Sequence, residues 1–243
     1  MFNRQKRGEI YSIAFSPDGR SLVSGSEYCV SIWNIRDGSS KLLPVTVADS
    51  RIFASVVFSP DGRYIAAGDL TYQLWIWDSR THRLMANWNG HRSSVWCVGF
   101  MPDGKGLVSG SSDYIVKYWD VSSLGIHVSR RDVATPRQSF PLVRSFLGYN
   151  VSPVFSSQFM LLTETFLFQQ VPIRSIAFFP SNEWLIAVSA DSVRVWDIRT
   201  GACQLMLRRQ TESFNAVDVS GTSDFLATAG FDGHAALWSY KVL

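Results

Sequence analysis

Apolar and polar positions recur along this chain in one short phrase, written five times. The clearest copy runs SVWCVGFMPDGKGLVSGSSDYIVKYWD from Ser94. Val95, Val98 and Phe100 lead into Pro102-Asp103-Gly104, a turn in which proline presets φ and glycine tolerates φ > 0. Residues 107–111 read as a second short strand and 115–119 as a third. β-Branched and aromatic residues alternate there with small or polar ones, and turns break the chain every ~8–12 residues. No helical period of comparable length competes, so the pattern predicts an all-β chain.

The other copies open at Glu9, Phe53, Ile173 and Phe214, and the closing tryptophans are Trp33, Trp77, Trp119, Trp196 and Trp238. The steps between them are 44, 42, 77 and 42 residues. A lone sheet of this size has two apolar faces and cannot bury them. Stacking neighbouring sheets radially does bury them, which predicts a β-propeller with five recognisable blades. One domain is expected over 1–243, with blades at about 9–47, 52–89, 94–147, 171–208 and 213–243.

A period of ~40–45 residues closing on Trp-Asp resembles the WD repeat. In WD-repeat proteins a Gly-His before the first strand, a Ser/Thr in the second, an Asp in the next turn and the Trp of the third form a buried hydrogen-bond chain. After Gly90, the residues His91, Ser109, Asp113 and Trp119 match those positions. The fifth copy has Thr228, Asp232 and Trp238, with Gln210 where the histidine would stand. The fourth keeps Asp191 and Trp196 with Ala187 and Tyr149 elsewhere; the second has Ala67 and Thr71 for Ser and Asp; the first keeps Ser24 and Trp33. The resemblance implies one fully pinned blade and a scaffold less rigid than a regular propeller. His91 and Asp113 are then structural residues, not catalytic ones.

The step of 77 residues has two sources. Residues 122–139 are polar, basic and proline-containing, as in a surface loop. Residues 151–170 carry four Phe and one charge, and deleting them places Gly148 ten positions before Phe178, as Gly90 stands before Phe100. Three readings stand open. Phe155, Phe159, Leu162 and Phe166 suit a docked helix; the segment suits a binding element; or it is a translated intron, which restores the register with no residue left over. On the last reading most transcripts join Asn150 directly to Val171.

Composition narrows the function classes. A net charge of +3 is too small to imply nucleic-acid binding, and 46% apolar residues suffice for a core. Cys29, Cys97 and Cys203 show no metal or disulfide spacing, and no run reaches a membrane span. The first residues lack the apolar stretch of a secretory signal. Phosphate-binding, zinc-protease and nucleophile-elbow motifs are absent, and four histidines lie scattered. No catalytic residue, metal, cofactor or small-molecule substrate is expected.

Protein partners are the remaining class. Counted back from the last apolar residue of each first strand, positions −5, −2 and 0 stay apolar, as in Ile10, Ile13 and Phe15. Position −4 varies: Tyr11, Ala54, Trp96, Arg174 and Asn215. Aromatic and Arg residues dominate interface hot spots, so Tyr11, Trp96, Arg174 and Asn215 are the candidate partner-binding residues. Covering of neighbouring blades is the competing role for Tyr11 and Trp96.

The order of the repeats adds a further likeness. IYSIAFSPDGRSLVSGS, YIAAGDLTYQLWIWDSRTHRL and GHRSSVWCVGFMPDGKGLVSGSSDYIVKYWD are followed by a long loop, a repeat opening at Gly148 and an end at AALWSYKVL. This order resembles the C-terminal propeller of the Tup-type (Groucho-like) fungal transcriptional corepressors. The likeness implies the last five blades of a seven-bladed propeller, a nuclear location, and docking on peptide segments of DNA-bound repressors without direct DNA contact. A WD-repeat adaptor of signalling or ubiquitin-ligase recognition, and a degraded copy, are the alternatives. Five such blades are expected to form an open arc of low stability rather than a small closed ring.

Overall fold

The computed structural model describes residues 8–45, 51–124, 142–147, 171–181, 183–208, 214–222 and 225–239. They form five antiparallel sheets, each built from strands consecutive in the chain. The first blade is β1 (Ile10–Phe15), β2 (Ser21–Ser26), β3 (Val30–Asn34) and β4 (Ser40–Leu42). The second is β5 (Phe53–Phe58), β6 (Tyr64–Asp69), β7 (Gln73–Asp78) and β8 (Leu84–Asn89). The third is β9 (Val95–Phe100), β10 (Gly106–Ser111), β11 (Ile115–Asp120) and β12 (Leu142–Leu147). The fourth is β13 (Ile173–Phe178), β14 (Trp184–Ser189), β15 (Ser192–Asp197) and β16 (Cys203–Arg208). Three strands are described in the fifth: β17 (Phe214–Val219), β18 (Phe225–Gly230) and β19 (Ala235–Ser239).

Ser-Pro-Asp-Gly turns explain why the first hairpins of the first two blades close where they do. Ser16 and Ser59 hydroxyls donate to Asp18 and Asp61, each at 2.6 Å, and Gly19 and Gly62 follow at φ of 68° and 72°. The surface loop expected at 122–139 is described only at 122–124, and the surplus segment 151–170 lies outside the described residues.

The core sits between blades, not within them. Four apolar clusters fill the four joints; the first brings Val23, Val30 and Ile32 of one sheet against Phe53, Trp75 and Trp77 of the next. Trp75 and Trp77 stack with centroids 5.8 Å apart, and Phe53 meets Trp75 edge-on at 5.9 Å. These aromatic pairs add to plain area burial.

First strands also pack in sequence, β1 on β5, β5 on β9, β9 on β13 and β13 on β17. A serine hydroxyl clasps most of these joints. Val56 N–H donates to Ser12 Oγ at 3.0 Å, Val98 N–H to Ser55 Oγ at 3.1 Å, and Val217 N–H to Ser175 Oγ at 3.3 Å. At the equivalent place in the third blade stands Cys97, whose thiol burial pushes up to about 12. No packing of that extent joins β17 to β1 among the described residues. Ile13, Phe15 and Leu237 are 60%, 65% and 69% exposed, whereas Phe53 and Val56, placed in β5 as Ile10 and Ile13 are in β1, are 0% and 1%. The described blades form an open row with an apolar face at each end.

Candidate functional site

The variable position of each first strand has a structural identity that explains its freedom. In β1, Ile10 pairs with Ser26 and Ser12 with Gly25, so Tyr11 is an extra residue with no cross-strand partner. The same skip occurs at Ala54 between Phe53 and Ser55, at Trp96 between Val95 and Cys97, at Arg174 between Ile173 and Ser175, and at Asn215 between Phe214 and Ala216. Each is the surplus residue of a β-bulge, a device that bends the strand and re-aims one side chain. A bulge also accounts for the apolar spacing of three and then two residues along each first strand.

All five bulges lie at one end of the blades, beside the second hairpin turn of each sheet. The four predicted binding residues are therefore on one face. Tyr11 is exposed, with Oη 3.2 Å from Glu9 Oε2 and 3.4 Å from Glu27 Oε1. Trp96 is half-buried and its indole donates to Ser112 Oγ at 2.7 Å. Arg174, also half-buried, stands 5.0 Å over the Phe231 ring of the next blade. Asn215 is exposed. An aromatic indole, a guanidinium and a phenol on one face, each from a different blade, suit recognition of a protein segment.

Behind this face the third blade carries the predicted lock. Trp119 Nε1–H donates to Ser109 Oγ at 2.9 Å, and Ser109 lies 2.7 Å from His91 Nε2. His91 Nδ1 lies 2.9 Å from Asp113 Oδ2. Burial pushes His91 below its ordinary range against the pull of Asp113, so the imidazole is neutral at pH 7. A single assignment satisfies every atom: Ser109 donates to Nε2, and Nδ1–H donates to Asp113. Burial works against the Asp113 carboxylate, but donation from His91, Arg92 N–H and Ile115 N–H outweighs it and holds the carboxyl at about 2.

The second blade corrects the expectation of a poorly pinned scaffold. Ala67 and Thr71 do stand at the lock positions, but a different network lies two residues further along. Buried Asp69 accepts from Trp75 Nε1 at 2.8 Å, Arg51 Nη1 at 2.9 Å, Thr71 N–H at 2.8 Å and Gln73 N–H at 3.0 Å. Arg51 Nη1 also lies 2.7 Å from both Thr71 Oγ1 and Gln73 Oε1, and its guanidinium is 5.3 Å from the Trp75 ring centre. A shift of two residues keeps the same strand face, so this network uses the same buried side of the sheet. The sequence carried its signal: an aspartate ending the apolar strand YIAAGD and an extra tryptophan before Trp77. Trp77 instead donates to Pro44 O of the first blade at 2.8 Å.

The remaining blades keep parts. Trp33 donates to Ser24 Oγ at 2.9 Å. Trp238 donates to Thr228 Oγ1 at 2.9 Å, while Asp232, placed in the lock by resemblance, accepts from His234 N–H at 3.0 Å. In the fourth blade Asp191 accepts from Ser189 at 2.5 Å and Ser192 at 2.9 Å. Among the described residues no group of His, Cys, Asp and Glu could hold a metal ion, and no helix is long and apolar enough to cross a membrane.

Comparison with known proteins agrees with the repeat. The family model described as WD domain, G-beta repeat matches residues 2–34, 46–78, 82–120, 163–197 and 201–239, well over half of the chain. Protein groucho of Drosophila melanogaster is 21% identical over 96% of this chain and 33% of its own length. The transcriptional corepressor LEUNIG_HOMOLOG of Arabidopsis thaliana is 24% identical over 97% of this chain and 30% of its own length. The U3 small nucleolar RNA-associated protein 15 homolog of Xenopus tropicalis is 26% identical over 76% and 38%. The chain thus spans about a third of the length of the curated relatives it matches.

Proposed function

Given that the chain belongs to the WD-repeat family, we propose that it is a non-catalytic protein-interaction scaffold working in transcriptional repression. Its partners are peptide segments of transcription regulators, it acts in the nucleus, and it touches DNA only through those partners. The supporting observation is the row of five β-bulges. Each blade aims one variable residue at the same face while the residues around it stay apolar, and in the second to fifth blades packed. That division lets Tyr11, Trp96, Arg174 and Asn215 change partner preference without disturbing the blade joints. The corepressor role is supported by the printed description of the Arabidopsis relative, which matches nearly the whole chain.

A tethering experiment tests this. The full chain, fused to a heterologous DNA-binding domain, is expected to repress a reporter that carries the cognate site. Arg174→Glu and Asn215→Arg, both at the bulged face, are expected to relieve repression severalfold, and the change at exposed Asn215 should leave the melting temperature within about a degree or two. Repression that is absent, or indifferent to both changes, overturns the reading.

A further inference from the structure

The second hairpin turns of the first three blades hold tyrosines in a backbone conformation that tyrosine disfavours. Tyr28, Tyr72 and Tyr114 have φ of 76°, 74° and 70°. A bulky residue in the left-handed region is a true outlier. Each stands five residues before its closing tryptophan, and in the fifth blade that place is taken by Gly233 at φ 80°, where no side chain opposes the turn. The turn thus needs a positive φ and not a ring. Its backbone is held by other groups: Tyr72 O accepts from Gly90 N–H at 3.0 Å and His91 N–H at 3.2 Å.

Nothing within the fold uses the phenols. Tyr28 and Tyr72 are each 46% exposed, and among the described residues no hydroxyl of the three tyrosines has a hydrogen-bond partner. Strain kept in place at three equivalent turn positions, exposed at Tyr28 and Tyr72 and half-buried at Tyr114, points to a task outside the fold. The turns adjoin the bulges, as Trp96 bonding to Ser112 shows, so the tyrosines extend the docking face.

We propose that Tyr28, Tyr72 and Tyr114 form, with Tyr11, a docking row for a proline-rich extended segment carrying a basic residue at its first-blade end. This rests on the docking reading above and names the chemistry of its partner. A polyproline II segment has no internal hydrogen bonds and offers bare carbonyls and flat pyrrolidine faces. Exposed phenols supply the matching donors and aromatic faces. Charge sets the polarity. Glu9 and Glu27 converge on the Tyr11 hydroxyl, and neither carboxylate meets a basic group among the described residues. An arginine or lysine at that end gains two carboxylates and an aromatic ring.

The probe is a fluorescein-labelled peptide of one arginine and nine prolines, read by anisotropy against the full chain. Controls carry glutamate for arginine, or Gly-Ser for the prolines. Tyr28→Gly and Tyr72→Gly are each expected to weaken binding of the arginine peptide about tenfold. The Glu9→Gln, Glu27→Gln double variant is expected to remove the preference for arginine over glutamate. Both glycine variants are expected to melt at or above the wild-type temperature, because strain is relieved. A lower melting temperature makes the rings part of the fold and overturns the proposal; so does a probe that fails to bind or binds every variant equally. The tethered reporter separates the two readings. If repression still depends on Arg174 while the proline peptide is ignored, docking stands and this partner chemistry falls.

Discussion

In the third blade a neutral imidazole links a tryptophan, a serine and an aspartate; in the second a buried guanidinium and carboxylate gather a tryptophan, a threonine and a glutamine. Both networks tie the strand that carries a tryptophan to the strand beside it and to the loop entering the blade. They differ in what holds the charge. In the third-blade lock the imidazole is neutral at pH 7 and the charge rests on Asp113, which is fed by several donors. In the second, Arg51 and Asp69 form an ion pair of 2.9 Å with both side chains nearly buried. Such a pair contributes modest net stability when whole, yet breaking it strands a charge. The second blade is therefore expected to fail abruptly where the third yields by degrees.

Asp69→Ala gives the largest expected effect. It removes the acceptor shared by Trp75, Thr71 and Gln73 and leaves Arg51 buried without a counter-charge, a loss of about 3–5 kcal/mol by urea denaturation. Arg51→Met in the same assay should lose less, because Asp69 keeps its other donors. Equal losses would show that the guanidinium, not the carboxylate, organises the blade. Ser109→Ala ranks next, leaving Trp119 and His91 unpaired at about 1–3 kcal/mol.

Acidification separates the locks without mutation. Folding holds His91 below its unfolded value of 6.5, so as pH falls below 6.5 the unfolded chain gains a proton that the folded chain refuses. Asp113, at about 2 against 3.8, adds a further loss only as pH drops below 3.8. Protection from hydrogen exchange, taken relative to the slower intrinsic rate in acid, should therefore fall at pH 5 in β9–β11 more than in β5–β7, whose network holds no imidazole. An equal fall in both blades would remove the imidazole from the explanation. Smallest of all, Ser55→Ala removes one clasp and should cost about 1 kcal/mol, shared by the second and third blades across their joint.

Much of the fold was legible in the sequence because turn chemistry and strand alternation are local. The Ser-Pro-Asp-Gly turns, the strand positions and the third-blade lock all follow from residues within one repeat. What escaped was written between repeats or off register. Ser12, Ser55 and Ser175 look like ordinary small polar residues until the next blade's amide reaches them. Arg51 precedes the second blade in a stretch with no recognisable motif, and only its distance to Asp69 assigns it a role. The bulges lay half visible: an apolar spacing of three then two residues cannot be met by an unbroken strand, and the intervening variable residue is the one left unpaired. Asp232 was placed by likeness alone, and Gln210, the position from which a lock partner would reach it, lies outside the described residues.

The serine clasp also imposes an order of assembly. In each joint that has one, the acceptor belongs to the earlier blade and the donor to the later one. As a ribosome extends the chain, the hydroxyl is always in place before the amide that seeks it. The unmated group on a growing blade is then a serine, which turns freely and is satisfied by water, and never a fixed amide awaiting a partner. Each blade that bears the serine thus meets its successor with a hydroxyl already solvated amid an apolar joint, so elongation itself can lay down such blades one after another in register.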